Sequence, residues 1–301
     1  MSRKSQESTE ARSPQLYDVQ ETFLKAGSYL RNWGRLTQRT YRQAMQSLRA
    51  DAPFLQDGIP TKSSLDGWVI ALKQRGVSAG GINMYARAIN SYLTWLHEEG
   101  KTPTRLRIKL LPHPLKPLTT FTDAEVKRLL HGTPRGMNQK RSKTLLTLLL
   151  DTGLRIGEAV GLEQQNGDFD NLMLRILGKG NRERIVPISP ECRKALWRFC
   201  SDSKRQYVFG TRSGLKMSTR NAYRDLKDYA AHCGVSGKHV HPHAFRHYFA
   251  VTYLRNNGDL YRLSRILGHS NITTTSIYLR STGIDQLREA HAQCSPLRRL
   301  A

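Results

Sequence analysis

From residue 16 to residue 100 apolar side chains return at three- and four-residue intervals, the repeat of amphipathic helices. The pattern breaks at Asn32-Trp33-Gly34, at Asp57-Gly58 and at Gly100, which divides the stretch into about four helices of ordinary length. Two of the expected helix starts carry hydroxyl residues, Thr37 and Ser78, whose side chains can accept from an unpaired backbone N–H. Residues 101–120 then hold four prolines and no acid, so this stretch should be extended, and residues 101–117 are assigned as a linker. Beyond it, Thr122-Asp123-Ala124-Glu125 has the spacing of a capping box and opens another helix. A helix running to residue 150, a turn at Asp151-Thr152-Gly153 and a further helix to Leu162 follow. Between Leu172 and Ile188 the pattern changes to strands on either side of Gly178-Lys179-Gly180-Asn181, which signals a hairpin. Mostly helix follows to the end, with a short amphipathic helix over residues 285–291. The expected fold is mainly α with a small antiparallel β-sheet. Its divisions are a disordered tail (1–15), a helical domain (16–100), the linker (101–117) and a second domain (118–301).

Charge narrows the partner. Lys plus Arg number 48 against 24 Asp plus Glu, a formal charge of +24 and a pI near 10.3, so the chain favours a polyanion, with nucleic acid foremost. No apolar run approaches the roughly 20 residues of a membrane span, and no lipidation motif is present. Met1–Ser13 is polar and lacks the apolar core of an export signal. Cys192, Cys200, Cys233 and Cys294 form no C-x-x-C pair and read as free thiols in a reducing cytosol, which places the chain in the cytoplasm with the nucleoid. No cofactor, membrane or small-molecule substrate is expected. In the helical domain Arg39, Thr40, Arg42, Asn83 and Arg87 lie near helix starts and are candidate phosphate contacts; a solvated charged face is the alternative.

Four segments place a cation, an imidazole or a phenol beside a turn. In Thr152-Gly153-Leu154-Arg155-Ile156-Gly157-Glu158, Arg155 starts an otherwise apolar helix and needs a partner, for which Glu158 is the local choice. Lys179 sits at the hairpin tip, where an exposed lysine is the plain alternative. In His241-Pro242-His243-Ala244-Phe245-Arg246-His247, Pro242 suits the first helical position, which sets His243 and Arg246 one turn apart. Leu267-Gly268-His269 is followed nine residues after the histidine by Tyr278, which can equally be a core tyrosine. A metal site at His239, His241, His243 and His247 is the sharpest rival; the absence of any carboxylate between Val235 and Asn257 argues against it.

Taken together, in order and spacing, these segments resemble the tyrosine recombinases, or phage integrases: a T-G-L-R-x-x-E box, a G-K-G hairpin, H-x-x-R-H, L-G-H and then a tyrosine. The resemblance implies an N-terminal helical core-binding (SAM-like) clamp on double-stranded DNA and an α+β catalytic domain. It makes Arg155, Lys179, His243, Arg246 and His269 the catalytic set, Tyr278 the nucleophile, and Glu158 a support for Arg155. It further implies a covalent 3′-phosphotyrosine, strand exchange between two sites through a Holliday junction without ATP or metal, and a tetramer on DNA in which the tail helix docks on a neighbouring protomer, packing on its own domain being the alternative. A simple two-domain type lacking an arm-site-binding domain is expected. Ala244-Phe245 departs mildly from the family, where leucine often precedes the arginine. A type IB-like topoisomerase and a non-catalytic basic DNA-binding protein are the alternatives. Chromosome-dimer resolution, phage or plasmid integration and transposition are not distinguished.

Overall fold

The computed structural model describes residues 14–51, 59–112, 120–178, 183–201 and 205–281, with 288, 291 and 292. These form two compact units, divided between Leu115 and Lys116. The 1–13 tail and nearly all of the expected 285–291 helix lie outside the described residues.

In the first unit α1 (Pro14–Tyr29), α2 (Arg35–Asp51), α3 (Lys62–Gln74) and α4 (Ala79–Glu98) enclose a core rich in aromatic rings, with Phe23, Trp68, Tyr92 and Trp95 buried. Ser78 caps α4 by accepting from the Gly81 N–H. Thr37 caps nothing: α2 begins earlier, at Arg35, and the Gly34 carbonyl already accepts from Gln38, so the threonine falls inside the first turn. The extended segment after α4 packs onto this unit, burying Ile108. Asn83 and Asn90 hold it there. Each uses both ends of its amide: Nδ2 of Asn83 donates to the Leu111 carbonyl (2.9 Å) and its Oδ1 accepts from the Leu111 N–H (2.8 Å). Asn90 does the same with Ile108 at 2.9 and 2.8 Å. Two helical turns advance about 10 Å, close to the rise of three extended residues, so one helix face can pair with every third residue of a strand-like segment.

The second unit opens with α5 (Asp123–His131), whose Thr122–Glu125 capping box is formed as its sequence spacing predicts. Helix α6 (Gly136–Thr152) is central and packs against α8 (Pro190–Cys200), α9 (Thr219–His232) and α10 (Pro242–Arg255). The expected helix after Gly153 shrinks to the single turn α7 (Ile156–Ala159). The sheet is antiparallel, as expected, and gains a third short strand, in the order β1 (Gly167–Asp168), β2 (Met173–Leu177), β3 (Glu183–Pro187). Its register sets Leu174 opposite Val186 and Ile176 opposite Arg184 on the inner face. After α11 (Leu260–Leu267) the chain returns in two short 3-10 segments, Ile272–Thr274 and Ser276–Ser281. Tyr278 is therefore carried on a tight 3-10 turn rather than on a regular helix. No described helix is long and apolar enough to cross a membrane.

The asparagine pair generates a stability prediction. Asn83→Ala leaves the Leu111 N–H and carbonyl unpaired against the helix, a cost of about 1–3 kcal/mol. Thermal unfolding should show the loss, and hydrogen exchange should place it at the Leu111 amide; unchanged exchange there would contradict the pairing.

Candidate active site

Two helices end at the same place. Both α6 and α11 stop at a glycine in the left-handed region, Gly153 (φ 63°) and Gly268 (φ 67°). A Cβ at Gly153 would run into Phe249 and Leu267, so the residue is required by space as well as by backbone angle. Carbonyls at such helix ends lack partners within the helix and carry the negative end of its dipole.

Guanidinium groups meet them. Arg246 is buried at 3 % exposure on α10 and donates to the Gly153 carbonyl at 2.8 Å and to the Leu267 carbonyl at 2.9 Å. Arg155, at the start of α7, also reaches the Leu267 carbonyl, at 3.4 Å. Arg184 on β3 donates from Nε to the Ile266 carbonyl at 3.0 Å. Glu158 ties two of these cations together. Its carboxylate takes a bidentate pair from Arg184 at 3.0 and 2.9 Å, one bond from Arg155 NH1 at 3.1 Å, and the Arg155 backbone N–H at 2.9 Å. Burial pushes the Glu158 pKa up, but the hydrogen bonds from Arg184 and from the Arg155 backbone, with both arginine charges, outweigh it and hold the carboxyl below its ordinary value. Burial, together with the neighbouring Arg155 charge, lowers Arg246 to about 10.

The histidines are sorted by what surrounds them. His269 Nε2 lies 2.7 Å from the Arg246 guanidinium, which can only donate, so Nε2 accepts and the ring proton sits on Nδ1, facing Thr275 Oγ1 at 2.7 Å. Burial and the adjacent arginines lower its pKa to about 4, which keeps it neutral. His243 is exposed at the start of α10, and burial of part of its ring and the Arg246 charge lower its pKa. His247 Nδ1 lies 3.2 Å from the Tyr278 hydroxyl. Tyr278 is itself 2 % exposed; burial raises its pKa, while the charge and hydrogen bond of Arg246, and Arg155 beyond it, act in the opposite direction.

The structure thus gathers Arg155, Glu158, His243, Arg246, His269 and Tyr278 within one part of the second unit; Lys179 lies outside the described residues. Three further residues belong to the cluster: His247, which closes the H-x-x-R-H box but has no role in the expected catalytic set, and Arg184 and Thr275, which carry no motif signal. For Arg184 a signal existed, since alternation in β3 puts it on the same face as the buried Val186. The histidine run makes no shared centre. His239 pairs with Glu125 at 3.0 Å, His241 Nδ1 accepts from the Ala244 N–H at 3.1 Å, and no described group of three or more His, Cys, Asp or Glu could hold a metal.

In the first unit one candidate is corrected. Asn83 is 5 % exposed with its amide spent on Leu111, so it cannot face a phosphate. The Thr40 hydroxyl donates to the Leu36 carbonyl at 3.0 Å, and Arg42 lies 4.0 Å from Glu21. Arg39 and Arg87 are exposed.

One buried and two partly exposed arginines, a neutral histidine fixed in one tautomer and a buried phenol thus lie together, a positively charged cluster suited to an anionic oxygen ligand. The sequence pattern of the phage integrase family matches residues 119–283. The chain belongs to that family, the tyrosine recombinases, whose shared activity is site-specific DNA recombination through a phosphotyrosine. Over 225 residues it is 35 % identical to the tyrosine recombinase XerC of Xylella fastidiosa strain M23, covering 72 % of this chain and 75 % of that one. Over 270 residues it is 29 % identical to XerC of Yersinia pestis, covering 86 % and 88 %. In fold it resembles the Tn1549 transposon integrase solved with transposon right end DNA (TM-score 0.75, 21 % identity, 92 % and 99 % coverage). It also resembles a lambda integrase dimer on a core site (TM-score 0.71, 14 % identity, 87 % and 94 % coverage).

Glu158→Gln should cost up to about 3 kcal/mol, because it removes from Arg184, whose side chain is 15 % exposed, the only carboxylate it meets among the described residues. The sign with pH follows from the depressed carboxyl. Its contribution is present above the unfolded carboxyl value of about 4.3 and is lost as pH falls through the lower folded value. Denaturant melts from pH 7 to pH 3 should therefore converge for the wild type and Glu158→Gln; a constant gap would refute the assignment.

Proposed function

We propose that this chain is a site-specific recombinase that attacks one DNA phosphate with Tyr278 and exchanges strands between two sites. The observation that carries the proposal is the convergence of Arg155, Arg184 and Arg246 on the carbonyl end of α11, with the Tyr278 hydroxyl within reach of the Arg246 charge. Charge supports it. Arg155, Arg184 and Arg246 supply three positive charges against the single negative charge of Glu158, leaving an excess of two. A bound phosphodiester carries one negative charge, and the five-coordinate state formed by phenolate attack carries two. A preorganised excess of this size favours the transition state over the ground state, and donors of this kind are each commonly worth about 3 kcal/mol.

In this reading Arg155 and Arg246 clamp the non-bridging oxygens, His243 donates to the same oxygens from its exposed position, and His269 keeps Arg246 aimed. Lys179 protonates the departing 5′-oxygen, and a 3′-phosphotyrosine is left. Because the ester keeps the energy of the broken bond, a 5′-hydroxyl from the second site reverses the attack, so neither ATP nor metal is required. The 276–281 turn must shift to admit a phosphate, since Tyr278 is 2 % exposed. The first unit is a SAM-like core-binding clamp with Arg39, Thr40, Arg42 and Arg87 as its remaining candidate phosphate contacts. The tail beyond residue 281 docks on a neighbouring protomer, and four protomers assemble on two sites through a Holliday junction. The chain works in the cytoplasm with the nucleoid.

On a nicked suicide duplex the wild type should trap a covalent adduct that Tyr278→Phe abolishes; adduct persisting in that variant would move the nucleophile elsewhere. Arg246→Ala should slow adduct formation by roughly 100-fold or more while DNA affinity changes far less. Wild-type cleavage by Arg246→Ala would sink the clamp. Truncation after Arg280 should leave monomer folding intact and reduce the mass of the complex on two sites, measured by light scattering. An unchanged mass would remove the tail from assembly.

A further inference from the structure

The hydroxyl of Tyr278 has two polar neighbours, and they differ in what they can do with a proton. Arg246 only donates. The Arg246 charge favours negative charge on the phenolic oxygen but cannot take its hydrogen. His247 Nδ1, at 3.2 Å, is the acceptor in reach, with the two ring centroids 5.6 Å apart. The other two histidines of the site are differently occupied. His269 has Nε2 committed to Arg246 and Nδ1 to Thr275. His243 is exposed, has no hydrogen-bond partner among the described residues, and its ring centroid lies 6.3 Å from that of His247.

We propose that His247 is a catalytic residue, the base that takes the phenolic proton of Tyr278 during cleavage and returns it during rejoining. The proposal rests on Tyr278 being the nucleophile. As the phenolic oxygen bonds to phosphorus and the bond from phosphorus to the 5′-oxygen breaks, the phenolic proton moves to Nδ1 and leaves an imidazolium. The departing 5′-oxygen takes its proton from the acid of the site, assigned above to Lys179. In the reverse step the incoming 5′-hydroxyl gives its proton back to that acid, the phenolate leaves phosphorus, and His247 returns the proton to Tyr278. Burial, reinforced by charge on His243, His241 and Arg246 of the same helix, lowers His247 to about 4. The facing group from the 276–281 turn is Tyr278 itself, with Arg155 beyond it. The imidazole is therefore neutral at neutral pH and ready to accept.

The test is single-turnover adduct formation on the nicked duplex, with wild type, His247→Ala, His247→Asn, His243→Ala and Tyr278→Phe compared at matched DNA occupancy. Both His247 variants should form adduct about 100-fold more slowly at pH 7. Their rates should climb with pH between 7 and 9, where the wild-type rate is level. Added imidazole should restore part of the rate to His247→Ala. The asparagine variant keeps a polar group without a base, so a loss shared by both variants is not a folding defect. A wild-type rate in either variant overturns the proposal, as does a slow rate with neither pH slope nor imidazole rescue. Imidazole-rescued loss in His243→Ala, with His247→Ala unaffected, assigns the base to His243 instead. Adduct surviving in Tyr278→Phe removes the nucleophile reading itself, an outcome distinct from all of these.

Discussion

The catalytic unit is organised around the satisfaction of one buried cation. A guanidinium at 3 % exposure is tolerable only if its donors and its charge are met, and Arg246 is met by the carbonyl ends of α6 and α11. Those ends converge because each helix stops at a left-handed glycine beside the other. The same carbonyl cluster draws Arg155 and Arg184, and Glu158 prevents the three cations from repelling one another apart. Packing, charge and helix termination are thus one arrangement seen from three sides. The sheet takes part through register: Ile176 opposite Arg184 turns the arginine inward, and β3 delivers it to the end of α11.

Much of this could be read from the chain because the family boxes are local. T-G-L-R-x-x-E contains both the glycine that ends α6 and the Arg155–Glu158 pair, and the pair forms as its i,i+3 spacing implies. Pro242 begins α10 where expected, and that start sets Arg246 facing inward one turn after His243. What stayed hidden is non-local. Arg184 meets Glu158 from 26 residues away, and only strand alternation hinted at its face. His247 was weighed as a metal ligand in a histidine run, whereas its partner is a phenol 31 residues on. Asn83 sat in a basic, helix-start context that suits phosphate, but its amide is consumed by backbone 28 residues later, a pairing that no local pattern announces.

Irregular segments were the other source of error. The helix expected after Gly153 is a single turn and the mostly helical C-terminal stretch includes the 3-10 segment of Tyr278, because apolar spacing over five or six residues does not distinguish a 3-10 turn from a short α-helix. Both cases concern segments that carry residues of the candidate site, where tight turns fix side-chain position over a short length of chain.

Enclosure of Tyr278 has a cost and a benefit that follow from the same geometry. Under the proposed role of Tyr278, a phenol enclosed in this way leaves the unbound molecule little reactivity toward stray phosphates. In the proposed reaction the duplex would use part of its binding free energy to open the turn, which lowers its apparent affinity below what the contacts alone would give. Latency of this kind makes selectivity depend on which duplex can meet that toll, and not solely on which one the basic surface grips.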